Sequence, residues 1–215
     1  MFTSRTLLEG KWPIIALAVL GAATRIWCPV PWAPLLPFAL LGFTISFFRD
    51  PPRTAPSDAK AIVAPADGKV VEVRTVNEPH FLKADAQMVA IFLSVFDVHV
   101  QRAPIDGEIR FVQYNKGRFL DARNPRCAEV NEDRVIGIES ADGFRVTVRQ
   151  VAGLIARRIV GWAGQGTRLA KGDRIGMIRF GSRVELFLPM DCEIAVKPGD
   201  YAKGGHTVVA KRRQT

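Results

Sequence analysis

The sequence predicts a mainly β protein, an antiparallel β sandwich or barrel-like domain that follows an N-terminal apolar helical segment. After residue 60, short apolar runs alternate with Gly, Pro, Asp and Asn at nearly regular spacing, which is typical of antiparallel sandwiches and barrels. Before residue 50, apolar residues dominate and polar positions are few. The proline-rich sequence at 51–57 is typical of a linker, so we expect a segment of residues 1–50 and a β-rich domain of residues 51–215.

The predicted strands are the apolar runs of the β-rich domain. Around Gly181 the pattern is strand, turn, strand, because apolar residues precede it and apolar and polar side chains alternate beyond Ser182. The other runs are 62–63, 70–73, 89–95, 109–112, 135–138, 144–151 and 155–160.

The N-terminal segment contains two apolar stretches, residues 12–24 and 26–48, with Arg25 between them. Neither is an uninterrupted span of the roughly 20 apolar residues that cross a bilayer, because Arg25 and several prolines break the pattern. We expect a helical hairpin or two tilted helices that dip into the membrane. A cleaved signal peptide, with Arg5 and Lys11 at its basic end, is one alternative, and a buried helix pair of a globular protein is another.

Basic residues flank this apolar segment on both sides. Lys11 precedes it, and Arg49 and Arg53 follow it, so the positive-inside rule puts both ends on the cytoplasmic side. Three tryptophans are spaced to lie at the membrane interface: Trp12, Trp27 and Trp32.

The composition narrows the class of partner. The net charge of +9 indicates an anionic partner, and no basic run interleaved with aromatic residues indicates nucleic-acid binding. An anionic membrane surface therefore fits best. The three cysteines, Cys28, Cys127 and Cys192, are far apart and no spacing fits a metal ion. We therefore expect no metal, no disulfide framework and a reducing compartment.

Two short stretches contain the residues that could carry chemistry. Gly181-Ser182 is first of all a turn, because glycine allows positive φ and serine bonds locally. In a second interpretation the Ser182 hydroxyl attacks the unhindered Gly181 carbonyl, which requires a nearby base. Asp97 and His99 alternate along a predicted strand and share one face, either at the rim of a sheet or on an ordinary exposed surface.

Several short stretches, taken in order, resemble the phosphatidylserine decarboxylase proenzymes in their short bacterial and archaeal form. The resemblance covers residues 40–210, and its specificity comes from order and spacing rather than from any single motif. The stretches are Phe47–Pro51, Ala64–Val70, Phe92–Pro104, Asn131-Glu132, 156–166 and Lys171–Pro189.

This resemblance implies that Ser182 attacks Gly181 and that the chain splits into a β chain (1–181) and an α chain (182–215). Residue 182 then becomes a pyruvoyl group, an electron sink for decarboxylating phosphatidylserine to phosphatidylethanolamine in phospholipid biosynthesis. In this scheme Asp67 helps to activate Ser182, and His99 transfers the proton in decarboxylation. The implied location is the cytoplasmic side of the cell membrane, and the implied assembly is the heterodimer of the two chains or a higher oligomer of it.

The sequence departs from the longer family members at two positions. They carry His-x-x-His, with the second histidine assigned to self-cleavage, whereas here His99 is followed by Arg102. Either His99 serves both reactions, or Asp67 and Asp97 act together with Arg102. The longer members also have Leu-Gly-Ser-Thr where this chain has Phe180-Gly181-Ser182-Arg183.

Other functions stay open on the residues alone. A membrane-anchored hydrolase would use Ser182, His99 and Asp67 as a triad in an intact chain. A non-catalytic β module would use Gly172-Asp173 and Gly199-Asp200 as turns of a carrier or interaction domain. A close enzymatic variant would decarboxylate a related phosphoserine-type headgroup.

Overall fold

The computed structural model describes residues 3–122, 124, 126–154, 158–179 and 181–213. The chain divides into two compact units, Met1–Pro52 and Arg53–Thr215. Part of the strand expected at 155–160, part of the stretch at 156–166 and residue Phe180 lie outside the described residues.

The first unit is a pair of packed helices, α1 (Ser4–Trp27) and α2 (Leu35–Phe47). A small residue allows the helices to approach closely: a Cβ added at Gly21 would come within 2.9 Å of the Phe38 ring. The expected pair of apolar helices is therefore present.

Helix α1 is long and apolar enough to cross a membrane. Its 24 residues measure about 36 Å, against about 30 Å of hydrocarbon, whereas the 13 residues of α2 measure about 20 Å. Our expectation that Arg25 interrupts the first stretch is wrong. Arg25 lies in the last turn of α1, where a cation interacts favourably with the helix C-terminus.

The regular structure of the second unit consists almost entirely of strands. Its one short helix in the described residues is α3 (Cys127–Val130). The strands are β1 (Ala61–Val63), β2 (Gly68–Glu78), β3 (Ala84–Leu93), β4 (Val100–Arg102), β5 (Gly107–Asn115), β6 (Asp133–Glu139), β7 (Arg145–Ala152), β8 (Ile159–Gly161), β9 (Arg168–Leu169), β10 (Arg174–Ile178), β11 (Ser182–Pro189), β12 (Cys192–Ile194), β13 (Tyr201–Ala202) and β14 (Val208–Arg212).

The strands of the described residues form antiparallel sheets around a main apolar core, and a second, smaller apolar cluster includes Met88 and Phe187. The largest sheet has eight strands in the order β13-β2-β3-β11-β7-β6-β5-β9, and two three-stranded sheets have the orders β4-β10-β8 and β1-β14-β12. Core side chains come from all three sheets, for example Val184 of β11, Ile175 of β10 and Val209 of β14. The predicted fold class, mainly antiparallel β after an apolar helical segment, is confirmed.

Strand β11 lies inside the largest sheet, between β3 and β7. Its Val184 and Leu186 face the core, as the alternation in the sequence predicts. Arg183 and Glu185 alternate with them and are buried too, at 4% and 2% exposure. Their side chains form an ion pair at 2.8 Å between Nε and Oε1.

Most of the expected strands are present with shifted ends. One of these shifts affects the candidate site. The run expected as a strand at 89–95 ends at Leu93, and residues 95–97 form a turn. Sequence reasoning missed the short strands β9, β12, β13 and β14, because two to five residues carry too little alternation to be recognised. Strand β4 is the end of the strand predicted to carry Asp97 and His99. The three cysteines are unpaired.

Candidate active site

Three strands of the largest sheet end side by side at the candidate site. Ser182, the first residue of β11, lies opposite Leu93 at the end of β3 and opposite Ala152 at the end of β7. The segments connected to these three strand ends therefore lie close together at one end of the strands.

Gly181 joins two different sheets. The strand before it, β10, pairs with β4 and β8, whereas β11 pairs with β3 and β7. The two predicted strands are confirmed, but they do not pair with each other as a hairpin. Gly181 has a φ of 65°, a conformation that glycine adopts without strain.

The Ser182 side chain is buried without a partner. The residue has 0% exposure, and within the described residues its Oγ has no hydrogen-bond partner. A buried hydroxyl normally finds one, because an unsatisfied polar group costs about 1–3 kcal/mol. The orphaned Oγ, adjacent to the Gly181 carbonyl, is the feature of the site that most needs an explanation.

His99 contacts the backbone of Gly181. Its Nε2 accepts a hydrogen bond from the Gly181 N–H at 3.1 Å, and its Nδ1 lies 2.9 Å from the Asp97 carbonyl oxygen. Because the carbonyl can only accept, these partners assign the neutral tautomer with the proton on Nδ1. The ring is fully buried.

The predicted alternation of Asp97 and His99 along one strand is wrong. Asp97 belongs to the turn between β3 and β4, and its carboxylate accepts hydrogen bonds from the N–H and Oγ of Ser94 and from the Tyr201 hydroxyl. The carboxylate therefore fixes the turn, while the Asp97 main chain supports His99. Tyr201 was not identified from the sequence, because it lies 104 residues away on β13.

Asp67 lies just before β2, which is two strands away from β11 and Ser182 in the largest sheet. It precedes Gly68 of β2, and β2 pairs with β3, which pairs with β11, a separation of about 10 Å at the usual strand spacing. The Asp67 carboxylate accepts a hydrogen bond from Arg53 at 2.6 Å and one from the Gly204 N–H at 2.8 Å. The structure thus brings His99 to Gly181, the neighbour of Ser182, whereas the Asp67 carboxylate binds Arg53 and the Gly204 N–H.

Opposing effects act on the pKa of Asp67. Burial raises this pKa and is the largest effect, the guanidinium of Arg53 lowers it, and the net shift is upward. Asp97 and Arg102 are close enough to raise and lower it, respectively. Arg53 lies in the proline-rich linker, 14 residues before Asp67, and nothing local in the sequence indicates the pairing.

Arg102 is buried at 4% exposure and donates to the Gly172 carbonyl oxygen at 3.0 Å. Its side chain packs on Gly205, where an added Cβ would lie 2.7 Å from its Cδ. Arginine cannot act as a base near neutral pH. In its observed position, Arg102 instead places a positive charge near Asp67. Its side chain also contacts the turns at Gly172 and Gly205.

Arg183, the residue after the serine, points away from the site. Its side chain pairs with Glu185 and, at 2.6 Å, with Glu72 of β2. Burial alone raises the pKa of Glu72, but Arg183 and Arg74 lower it more, so the net shift is downward. Arginine at this position is therefore explained by a buried ion cluster that ties β2 to β11.

No group of three or more His, Cys, Asp and Glu side chains suited to a metal ion occurs among the described residues. The reactive candidates at this edge of the sheet are a hydroxyl, an imidazole and carboxylates. This set can perform proton transfer and nucleophilic attack.

Comparison with known proteins identifies the family. A family model described as phosphatidylserine decarboxylase matches residues 40–210. A phosphatidylserine decarboxylase proenzyme of Carboxydothermus hydrogenoformans is 45% identical over 207 residues, and one of Symbiobacterium thermophilum is 45% identical over 204 residues, with 94% of each chain covered in both cases. A proenzyme of the same name from Geobacter sulfurreducens is 44% identical over 207 residues, also with 94% of each chain covered.

Proposed function

The chain belongs to the phosphatidylserine decarboxylase family, and from this premise we propose that it matures by cutting itself between Gly181 and Ser182. The products are a β chain of residues 1–181 and an α chain of residues 182–215. The observation that supports this most directly is the Ser182 Oγ, which is fully buried and without a partner next to the bond to be cut. A catalytic role is one of the reasons for which a native protein keeps a buried polar group unsatisfied.

The cut proceeds by an exchange of bonds at Gly181. The Ser182 Oγ bonds to the Gly181 carbonyl carbon, its proton passes to a base, and the carbonyl electron pair moves to the oxygen. When the tetrahedral centre collapses, the bond from carbon to the Ser182 nitrogen breaks and the nitrogen takes up a proton, which leaves an ester. Loss of the Ser182 α-proton then breaks the Cβ–Oγ bond and releases Gly181 as a carboxylate. Water replaces the nitrogen, ammonia leaves, and the α chain begins with a pyruvoyl group.

We assign His99 as the base for this step and as the proton donor in decarboxylation. Its Nε2 carries the lone pair and accepts the Gly181 N–H in the uncut chain. To act as the base it must turn from that bond to the hydroxyl of the next residue, the Ser182 Oγ, which has no partner within the described residues. The carboxylates of Asp67 and Asp97 are both engaged by other partners. With Arg102 unable to accept a proton, this arrangement favours a single histidine that serves both reactions.

The residues fit a pyruvoyl group at position 182. When formed, that group supplies a carbonyl that condenses with the substrate amine and accepts the electron pair left by loss of CO₂. The chain itself holds position 182 as the first residue of β11, which pairs with β3 on one side and β7 on the other. Burial of His99 and Ser182 keeps water from the proton that His99 delivers.

The substrate requires access to a bilayer. Helix α1 is long and apolar enough to enter one, and Trp12, Trp27 and Trp32 are all more than two-thirds exposed, as side chains in a membrane interface are in the absence of lipid. Together with the net charge of +9, these features support a protein bound to the anionic cytoplasmic leaflet. A triad hydrolase fits less well, because within the described residues the Ser182 Oγ makes no hydrogen bond to His99, the contact by which an intact triad activates its serine.

A turnover assay tests the proposed activity. Purified protein is mixed with vesicles that contain phosphatidylserine, and phosphatidylethanolamine is measured, in parallel with Ser182→Ala and with wild type treated beforehand with borohydride to reduce a pyruvoyl carbonyl. We expect turnover by the untreated wild type only. Full activity after borohydride, or in Ser182→Ala, would refute the pyruvoyl mechanism.

A further inference from the structure

The end of strand β7 lies against the bond that we propose is cut. In the β7–β11 register, Val151 is opposite Arg183 and Ala152 is opposite Ser182, so the next pair is Gly153 and Gly181. A Cβ added at Gly153 would lie 2.4 Å from the Gly181 carbonyl oxygen and 3.2 Å from the carbonyl carbon. Only glycine allows this approach without moving the carbonyl.

Asn131 holds the same segment from the other side. Its Nδ2 donates to the carbonyl oxygens of Ala152 and Leu120, both at 2.8 Å, and its Oδ1 accepts from the Leu120 N–H at 2.8 Å. Both amide hydrogens are thus used. At 3% exposure, a side chain with three hydrogen bonds is confined to one orientation, because each bond left unmade while buried costs about 1–3 kcal/mol.

This contact sets the direction of the Gly153 N–H. The N–H of Ala152 donates to the Glu132 carbonyl oxygen at 2.9 Å, and its C=O accepts from Asn131, so both groups of Ala152 point away from β11. In a trans peptide the N–H is opposite to the C=O, and no cis peptide occurs among the described residues. The Gly153 N–H therefore points toward β11, where the Gly181 carbonyl oxygen lies.

We propose that Asn131 is a positioning residue for self-cleavage: it orients the Ala152–Gly153 peptide so that the Gly153 N–H donates to the Gly181 oxygen as negative charge forms there. The proposal rests on the proposed cut at Gly181. A backbone N–H aimed at a developing oxyanion is worth about 10²–10³ in rate. The same hydrogen bond also holds the carbonyl in place for attack by Ser182.

Two substitutions test the positioning role of Asn131, and two others serve as matched controls. Asn131→Asp keeps the size and the acceptor oxygen but loses the donors to Ala152 and Leu120, and Gly153→Ala displaces the Gly181 carbonyl directly. The matched controls are Gly164→Ala, where an added Cβ meets nothing within 4 Å, and Asn77→Ala, whose amide makes an exposed hydrogen bond to Asp85.

The measurement is the rate at which newly translated full-length chain yields the 182–215 fragment. We expect both test variants to be slowed by about 100-fold and both controls to cut at the wild-type rate. Hydroxylamine, which cleaves an accumulated ester, should not restore cutting in the test variants, because the ester itself forms slowly. Unfolding temperatures measured in an uncut Ser182→Ala background show whether each variant is folded.

The outcomes distinguish this proposal from the proposed function. An uncut wild type would contradict self-cleavage itself. A wild type that cuts, beside a folded Asn131→Asp variant that cuts equally fast or is restored by hydroxylamine, would overturn the role of Asn131 alone. If Asn131→Asp does not fold, Gly153→Ala decides, because wild-type cutting by that variant would equally overturn the proposal.

Discussion

The imidazole of His99 accepts a hydrogen bond from the main-chain N–H of Gly181, with 3.1 Å between Nε2 and the nitrogen. The lone pair that would accept a proton in the proposed self-cleavage is therefore held at the peptide next to the bond between Gly181 and Ser182. If the chain cuts itself as we propose, Gly181 becomes a free carboxyl terminus that can leave this position. The proposed cut would thus both use His99 and release it for the later proton transfer.

Replacement of His99 by alanine should leave the chain uncut and inactive, because the described carboxylates near the site are engaged elsewhere. We expect loss of at least 10²-fold in the cutting rate, the usual worth of a general base, measured by gel analysis of fresh chain. His206→Ala is the control, since its ring binds the Thr54 carbonyl on the exposed surface. If His99→Ala were cut normally and lost only lipid turnover, His99 would serve decarboxylation alone.

Removal of the Arg53 charge should shift the pH dependence of cutting. Burial raises the pKa of Asp67, and Arg53 opposes that rise, so Arg53→Gln raises this pKa further. If ionised Asp67 supports the cut, the acid limb of the rate profile moves to higher pH. Arg53→Lys keeps the charge and should shift the limb less. An unchanged limb in Arg53→Gln would show that ionisation of Asp67 does not limit the reaction.

The buried pair of Arg183 and Glu185 should be important for stability. In a Ser182→Ala background, which keeps one polypeptide, Arg183→Met removes the 2.8 Å partner of the buried Glu185 but keeps Arg149, 3.8 Å from the other carboxylate oxygen. We expect a loss of about 1.5–3 kcal/mol in the free energy of unfolding, the usual worth of a hydrogen bond to a charged group, measured by urea denaturation. Arg110→Met, at an exposed pair with Glu108, should cost less than about 1 kcal/mol. Equal losses for the two variants would contradict the assignment.

The N-terminal tryptophans should report membrane contact. With vesicles of anionic phospholipid that carry brominated acyl chains, we expect quenching of tryptophan fluorescence in the full chain. A variant with phenylalanine at Trp12, Trp27 and Trp32 retains only Trp162, in the β-rich unit, and should lose most of the quenching. Equal quenching of both proteins would place the membrane contact on the β-rich unit instead.

The sequence alone was sufficient to predict features that repeat along a strand. The alternation of Val184 and Leu186 with Arg183 and Glu185 predicted β11 and its buried face. It could not show that the residues after Leu93 form a turn, because Val95 and Phe96 are apolar and continue a strand-like run. Local bonds from Ser94 to the Asp97 carboxylate close the turn, and the Tyr201 hydroxyl, 104 positions away, binds the same carboxylate.

Candidate residues were predictable where resemblance or residue type marked them, as with Ser182 and His99. Their supporting contacts were not. Gly153 lies against Gly181 only because β7 pairs with β11, and Asn131 reaches Ala152 across 21 positions. In sequence both look like ordinary turn residues, and only the folded sheet gives them a role.

The mass of the intact purified protein tests self-cleavage most directly, with Ser182→Ala beside it. We predict two chains for the wild type, split after Gly181, with the 182–215 fragment lighter by the mass of ammonia than the same sequence with an N-terminal serine. Ser182→Ala should give one full-length mass. A single uncut mass in wild-type protein that turns over phosphatidylserine would contradict the account.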